Sequence, residues 1–317
     1  SASTVEMFWL QSCPKMTTVD IHEMPITTFA SADYATSGMN MQPDGTLIIA
    51  TVAQKNAMAS RYSDYEVSVT WWCVDEERTE AAASMNAVLR KAILADETVN
   101  PVGDVNTVIT AEMLAKVTEI RISTAMDATG LNLDGLELCP NLTTLSINAW
   151  QVSLGDIDLS GFTKLTDVTM SPTAGYTSIK LPAGIKKFKS VISYTNHEPV
   201  GPTTLDLTQY TDLEYVNVMD SYSKPAVLTS LNVSGLSKLA LLYVGGTPEV
   251  NIANCPLLTT CISNYGTYDS GFYWSGSSSS QTIIVESEAK RDQLKASWKK
   301  VMGYDEENPA NAWTIQQ

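Results

Sequence analysis

Hydrophobic residues recur along most of the chain in one frame, seen most clearly at Leu231, Val233, Leu236, Leu239, Leu242 and Val244, with polar residues and turn formers between them. The frame returns at Leu205, Leu207, Tyr210, Leu213, Val216 and Val218. It returns again at Ile157, Leu159, Phe162, Leu165, Val168 and Met170, and at Val250, Ile252, Cys255, Leu258 and Cys261. Two-residue steps in the frame predict short strands, because alternate side chains of a strand share a face. Strand centres are expected near residues 121, 146, 169, 192, 217, 243 and 262. A turn this short cannot bury its apolar stripe alone, so successive turns must stack into one core. In this register Arg121, Ser146, Thr169, Ile192, Asn217, Tyr243 and Ile262 point away from that core. Leu181-Pro-Ala-Gly-Ile185 adds one residue to the frame and predicts a bulge or a wider turn.

Helical spacing takes over on either side of the repeats. From Thr79, Met85, Val88, Leu89, Ala92 and Ile93 form one apolar face, Pro101 and Gly103 break the chain, and Thr110 is an N-cap for a short helix. Near the C-terminus, Thr282–Val285 is followed by a helix with Leu294, Trp298, Val301 and Met302 on one stripe, then by Ala312–Ile315. The N-terminus carries the same order: Phe8, Leu10, Cys13, Met16, Val19 and Ile21 in the frame, then Thr46–Ile49, a run containing Met58 and Tyr62, and Val69–Trp72. An internal duplication is expected, with residues 8–72 matching 250–315. Residues 1–77 are then the last turn and cap of an upstream unit. Residues 78–317 form a second unit, with a helical N-terminal cap (79–117), repeats (118–265) and a strand-helix-strand C-terminal cap (266–317).

Charge narrows the partners. Against 35 acidic residues stand 20 Lys and Arg, a net charge of −15, which opposes nucleic-acid phosphates and anionic lipid. No apolar run in this chain is long enough for membrane insertion. Cys13, Cys139 and Cys255 occupy one slot, C-P-x-x-T-T, and Cys261 a frame position, so buried thiols are expected rather than disulfides. There is no C-x-x-C pair and no Cys/His cluster, and neither metal nor cofactor is expected. His22 and His197 are the only histidines, no nucleophile or phosphate-binding motif surrounds them, and an enzyme is not expected. The sequons at Asn141 and Asn232 overlap the frame and are assigned a structural role.

These repeats resemble the leucine-rich-repeat proteins of bacterial cell surfaces, especially the Bacteroidetes type, with units such as Leu231-Asn-Val-Ser-Gly-Leu-Ser-Lys-Leu239. Internalin-like proteins are a more distant relative. The resemblance covers residues 80–317 and, through the cap pattern, 1–75. It implies an α/β repeat fold, a leucine-rich-repeat solenoid of short parallel strands, and a secreted or surface-anchored binding protein. That family often carries an EF-hand-like loop before the first repeat. Here Val102, Asp104, Asn106, Thr107 and Met113 fall at loop positions one, three, five, six and twelve. An EF-hand needs carboxylates at one and twelve and glycine at six, so a metal-free connector is expected.

Aromatic residues recur just after the strands, at Trp150, Tyr176, Tyr194 and Tyr222. Tyr243 adds one on a strand, and Tyr265, Tyr268, Phe272, Tyr273 and Trp274 follow in the final loop. Exposed aromatics suit sugar stacking or a protein hot spot; alternatively these residues fold back over the edge of the core. The expected function is non-enzymatic binding or adhesion to a protein or glycan on a cell surface, through the repeat face or this aromatic edge. A carbohydrate-binding module and a structural spacer are the alternatives. The expected setting is extracellular or cell-surface, as a monomer or as part of a longer multi-domain chain.

Overall fold

A computed structural model of the protein describes residues 7–8, 18–24, 28–29, 45–56, 69–74, 76–104, 106–149, 152–171, 175–192, 201–220, 227–263, 267–275, 282–302 and 312–316. The chain is α/β, with many short parallel strands in parallel sheets. It divides into two compact units, Ser1–Ala83 with Ile93–Leu114, and Ser84–Ala92 with Ala115–Gln317.

In the first unit β1 (Met7–Phe8) pairs with β3 (Thr28–Phe29), while β2 (Thr18–Asp20), β4 (Gly45–Ile49) and β5 (Val69–Cys73) form a sheet in the order β2-β4-β5. Leu47, Ile48 and Ile49 are fully buried, and residues 52–56 are helical. Met58 and Tyr62 lie outside the described residues. Arg78 closes the end of β5: its guanidinium donates to the Cys73 carbonyl at 2.7 Å and lies 4.3 Å from the centre of the Trp72 ring. Downstream, the segment expected to bind no metal is organised by Asn100. This fully buried amide donates to the carbonyls of Leu94 (2.9 Å) and Asp104 (3.0 Å) and accepts from the Thr107 hydroxyl (3.3 Å). Met113 is a core residue.

The first long helix is Ala87–Leu94 rather than a run from Thr79. Asn86 sets its start, because the Asn86 side-chain oxygen accepts the Val88 N–H at 2.9 Å and so caps the first turn. The helix Ala111–Lys116 begins as expected, with Thr110 Oγ1 accepting the Met113 N–H at 3.2 Å.

The second unit contains β6 (Glu119–Ile122), β7 (Thr144–Ile147), β8 (Asp156–Asp158), β9 (Asp167–Met170), β10 (Ser178–Lys180), β11 (Lys187–Ile192) and β12 (Thr204–Asp206). It continues with β13 (Tyr215–Asp220), β14 (Ser230–Asn232), β15 (Leu241–Gly245), β16 (Glu249–Asn251), β17 (Gly271–Ser275), β18 (Thr282–Val285) and β19 (Ala312–Ile315). A seven-stranded sheet runs β17-β15-β13-β11-β9-β7-β6, a five-stranded one β12-β14-β16-β18-β19, and β8 pairs with β10. Across the seven strands Ile120, Leu145, Val168, Phe188, Val216, Leu242 and Phe272 stand side by side and are all buried.

Between the sheets the apolar residues step by three because the backbone does. The N–H groups of Leu236 and Leu239 donate to the carbonyls of Val233 and Leu236, and the same pair of bonds recurs at Phe162 and Leu165, Tyr210 and Leu213, and Cys255 and Leu258, all at 3.0–3.3 Å. A turn of three residues brings every third side chain to one side, so Val233, Leu236 and Leu239 enter the core together. A second recurring device ends strands of the β8–β10 pair and of the five-stranded sheet. Asp158, Asp206, Asn232 and Asn251 each accept the N–H two residues on, at 3.0–3.1 Å, a turn that diverts the backbone from the ladder.

Asp20 makes this same turn with the His22 N–H at 3.1 Å. The order β2-β4-β5 therefore repeats β16-β18-β19, with a helical segment before the last strand of each. Ile21 N–H donates to the Ile48 carbonyl (3.0 Å) as Ile252 N–H does to that of Ile284 (2.9 Å). Strand pairing matches Val19, facing Leu47, with Val250, facing Ile283. The apolar spacing had instead aligned Phe8 with Val250.

The irregular unit at 181–185 interrupts the second sheet between β10 and β12. In regular turns the N–H after the strand bonds to the neighbouring strand, as Leu159 does to Lys180 (2.8 Å) and Leu207 to Asn232 (2.9 Å). Leu181 N–H bonds instead to the buried Tyr210 hydroxyl at 3.0 Å. Tyr210→Phe leaves that donor without its partner, and we expect a loss of about 1–3 kcal/mol in chemical denaturation; a parent-like midpoint would show that the hydroxyl is dispensable.

The strand expected near 262 is displaced. Cys261 makes a single parallel bridge to Phe272, and β17 lies between it and β15. Placing β17 there buries Phe272 and Trp274, a far larger apolar area than Cys261 provides. Ile262 is buried as well: a Cβ at Gly271, whose φ is +141°, would lie 2.4 Å from Ile262 Cγ2. Only a residue without a side chain admits this approach.

Candidate functional site

The outward row of the seven-stranded sheet is set by the pairing register and reads Arg121, Ser146, Thr169, Lys189, Asn217, Tyr243, Tyr273. Lys189 replaces the expected Ile192, because β11 is centred earlier than the frame implied, and Tyr273 replaces Ile262. The row changes character along its length. From β6 to β11 it is polar or charged: Arg121 pairs with Glu119 on the same strand, Lys187 beside the row pairs with Asp167 at 3.3 Å, and Lys189 stands in the row itself.

The other end is aromatic. Tyr215 lies two residues before Asn217, on the same face of β13, and so joins the row diagonally. The ring centres of Tyr215 and Tyr243 are 6.0 Å apart with planes at 46°, and those of Tyr243 and Tyr273 are 6.0 Å apart at 45°. Tyr215 and Tyr243 are half-buried and Tyr273 is 7% exposed. Burial, then the phenols of Tyr215 and Tyr268, raise the Tyr243 pKa, so all its chemistry near neutral pH is that of the neutral phenol. Asn217 sits in the angle of the strip, where its amide N–H donates to the Tyr215 hydroxyl at 3.0 Å. Its Oδ1 is buried and has no hydrogen-bond partner among the described residues. Tyr268 is tethered, its hydroxyl 2.7 Å from Ser263 Oγ.

Three of the aromatics expected at the binding edge belong to the interior. Tyr176 is 1% exposed, with its hydroxyl 2.7 Å from Ser190 Oγ, and it fills the space above a row position where other strands carry Ile122, Ile147, Met170 and Val244. Phe272 and Trp274 are buried because residues 271–275 form a strand, not a loop, and alternation turns both inward. Tyr243 lies in the strip, and the Tyr268 phenol is near enough to raise its pKa. Trp150, Tyr194, Tyr222 and Tyr265 lie outside the described residues. Tyr215 escaped the sequence analysis, although it shares the face of Asn217. Tyr273 was expected in the final loop, and the strand Gly271–Ser275 sets it beside Tyr243 instead.

Other chemistry is scarce among the described residues. Burial pushes the thiols of Cys139 and Cys255 up to about 11 and that of Cys261 to about 12, which suppresses the nucleophilic thiolate. His22 Nδ1 lies 2.5 Å from the Asp20 carboxylate on the surface, and His197 is outside the described residues. Asn141 holds the Ala115 carbonyl (2.6 Å) and Lys164 (2.5 Å). Among the described residues no group of three or more His, Cys, Asp or Glu side chains could hold a metal ion, and no helix is long and apolar enough to cross a membrane. The chain matches no protein-family model and no curated protein.

Proposed function

We propose that this chain is a leucine-rich-repeat solenoid of the secreted or cell-surface bacterial kind, distantly internalin-like, and that it acts without catalysis by binding a macromolecule. The recurrent parallel register, the three-residue turns and the strand-ending Asx turns support the repeat architecture. A C-terminal cap is supported by the helix Glu288–Met302. Its Ser297 Oγ accepts the Cys261 N–H at 2.7 Å, and its buried Lys290 donates to the Cys255 carbonyl at 2.9 Å, taking up backbone groups at the last turn.

The observation that carries the function is the Tyr215–Tyr243–Tyr273 strip on the outward sheet face. The outward positions of β6, β7 and β9 are polar or charged, whereas the half-buried Tyr215 and Tyr243 bring ring carbon and hydroxyls to one place, backed by the buried Tyr273. Aromatic anchors supply a disproportionate share of binding energy, so removing two is expected to cost about 2–4 kcal/mol of affinity. The test compares the parent with Tyr215→Ala/Tyr243→Ala in capture from cell-surface extracts and on a glycan array, alongside thermal melting. We expect a ligand held by the parent and lost by the double variant, with melting close to the parent. Equal capture by both proteins would refute the site, and no capture by the parent would favour a structural spacer.

A further inference from the structure

Resting on the binding face proposed above, we infer that its partner is a protein, engaged through a short peptide segment that carries an apolar anchor and one carboxylate. The face is not only aromatic. In the pairing register Leu241 stands beside Tyr215, and Met219 and Val191 stand side by side one row beyond Tyr243. All five residues are half-buried, so the sheet leaves ring, thioether and branched carbon partly open to solvent in one area. Tyrosine and methionine are enriched at the centres of protein interfaces, where charged residues are depleted. A sugar fits this area poorly. Tyr273 is 7% exposed and offers no open ring face, and sugar hydroxyls laid over Val191, Met219 and Leu241 would lose water without gaining partners.

Charge at one border selects the segment. Lys189 stands in the row of Tyr243, two strands away, with Asn217 between them. It is half-buried and makes no hydrogen bond or ion pair among the described residues, whereas Lys186 and Lys187 are matched by Glu214 at 3.9 Å and Asp167 at 3.3 Å. A partner's carboxylate at Lys189 meets a cation at the margin of apolar surface, where water screens the pair less than on an open face. Two strand spacings are about 10 Å, which about three residues of extended chain span. Carboxylate and anchor therefore lie about three residues apart in the partner. The net charge of −15 disfavours a run of acids, which is repelled at long range, while a single contact within the screening length is decided by Lys189. Three strands by three rows cover about 10 by 13 Å of backbone positions. That is well below the ~800 Å² per side of an interface between globular surfaces, and it suits a segment.

The experiment is selection of a phage-displayed random-peptide library on the whole chain, followed by fluorescence polarisation of the recovered peptides against the parent, Lys189→Glu and Tyr215→Ala/Tyr243→Ala. We expect recovered peptides to carry an aromatic or aliphatic residue about three positions from an Asp or Glu. Lys189→Glu should weaken them about tenfold or more while melting near the parent. Replacing the peptide's acid by Lys should restore binding to Lys189→Glu and weaken binding to the parent, a reversal that a merely structural effect of the variant would not produce. Basic peptides, or peptides indifferent to Lys189→Glu yet lost in the double tyrosine variant, would overturn the carboxylate and leave the binding face standing. Peptides held equally by the double tyrosine variant would overturn the face itself. Recovery of no peptide would overturn the peptide partner, and the face would then stand only if capture of a glycan or an extract protein depends on Tyr215 and Tyr243.

Discussion

Leu239→Asp, and separately Leu242→Asp, should leave the second unit unfolded at room temperature. Both leucines are fully buried. Leu239 ends a three-residue turn whose N–H donates to the Leu236 carbonyl, and Leu242 stands between Val216 and Phe272 in the sheet. An aspartate at either position would replace an apolar side chain packed among apolar neighbours, Val216 and Phe272 in the case of Leu242. An uncompensated buried charge costs several kcal/mol, on the scale of the entire ~5–15 kcal/mol stability of a domain. Because each turn is supported by its neighbours, damage in the middle of the stack removes support from both sides. Far-ultraviolet circular dichroism against temperature measures the effect, with exposed Ser237→Asp as the control. Parent-like melting of Leu239→Asp would show that the turn does not face the core.

Trp274→Ala should be the next most damaging change, at about 3–5 kcal/mol. The Trp274 ring stacks on Trp298 at 4.2 Å and on Phe272 at 4.8 Å, and meets Trp313 edge-on at 5.8 Å. These contacts join β17, the helix Glu288–Met302 and β19 through one side chain. Its removal leaves a cavity that rigid strands collapse into only partly, whereas Trp274→Phe keeps part of the stack and should cost less. Urea denaturation measures both. A Trp274→Ala protein with parent stability and lost ligand capture would return this residue to the binding edge, where the sequence analysis had placed it.

The contrast between Trp274 and Tyr273 shows where sequence reasoning stops. Both lie in Gly271–Ser275, both are aromatic, and a glycine- and serine-rich neighbourhood reads as loop. Whether such a segment becomes a strand depends on a vacant place beside β15 and on Gly271 tolerating the approach of Ile262. Neither condition is local. The late start of the helix expected from Thr79 has a different cause. Apolar spacing continues through Met85, but the short side chain of Asn86 captures the Val88 N–H, and a local hydrogen bond outweighs periodicity at a helix start.

What the sequence determined by itself is what repeats: the strands at Leu231 and Leu242, the three-residue turns between them, the cap at Thr110, and the recurrence of one strand order at both ends of the chain. These follow from backbone periods of two and three residues and from short polar side chains, all of which act over a few positions. The tertiary structure alone decided which turns stand side by side and in what register. Loops of unequal length separate Tyr215, Tyr243 and Tyr273, and nothing within any one turn says that their rings will meet. Their adjacency arises because strand pairing fixes each turn against the next, and a shift of one residue sends every side chain to the other face.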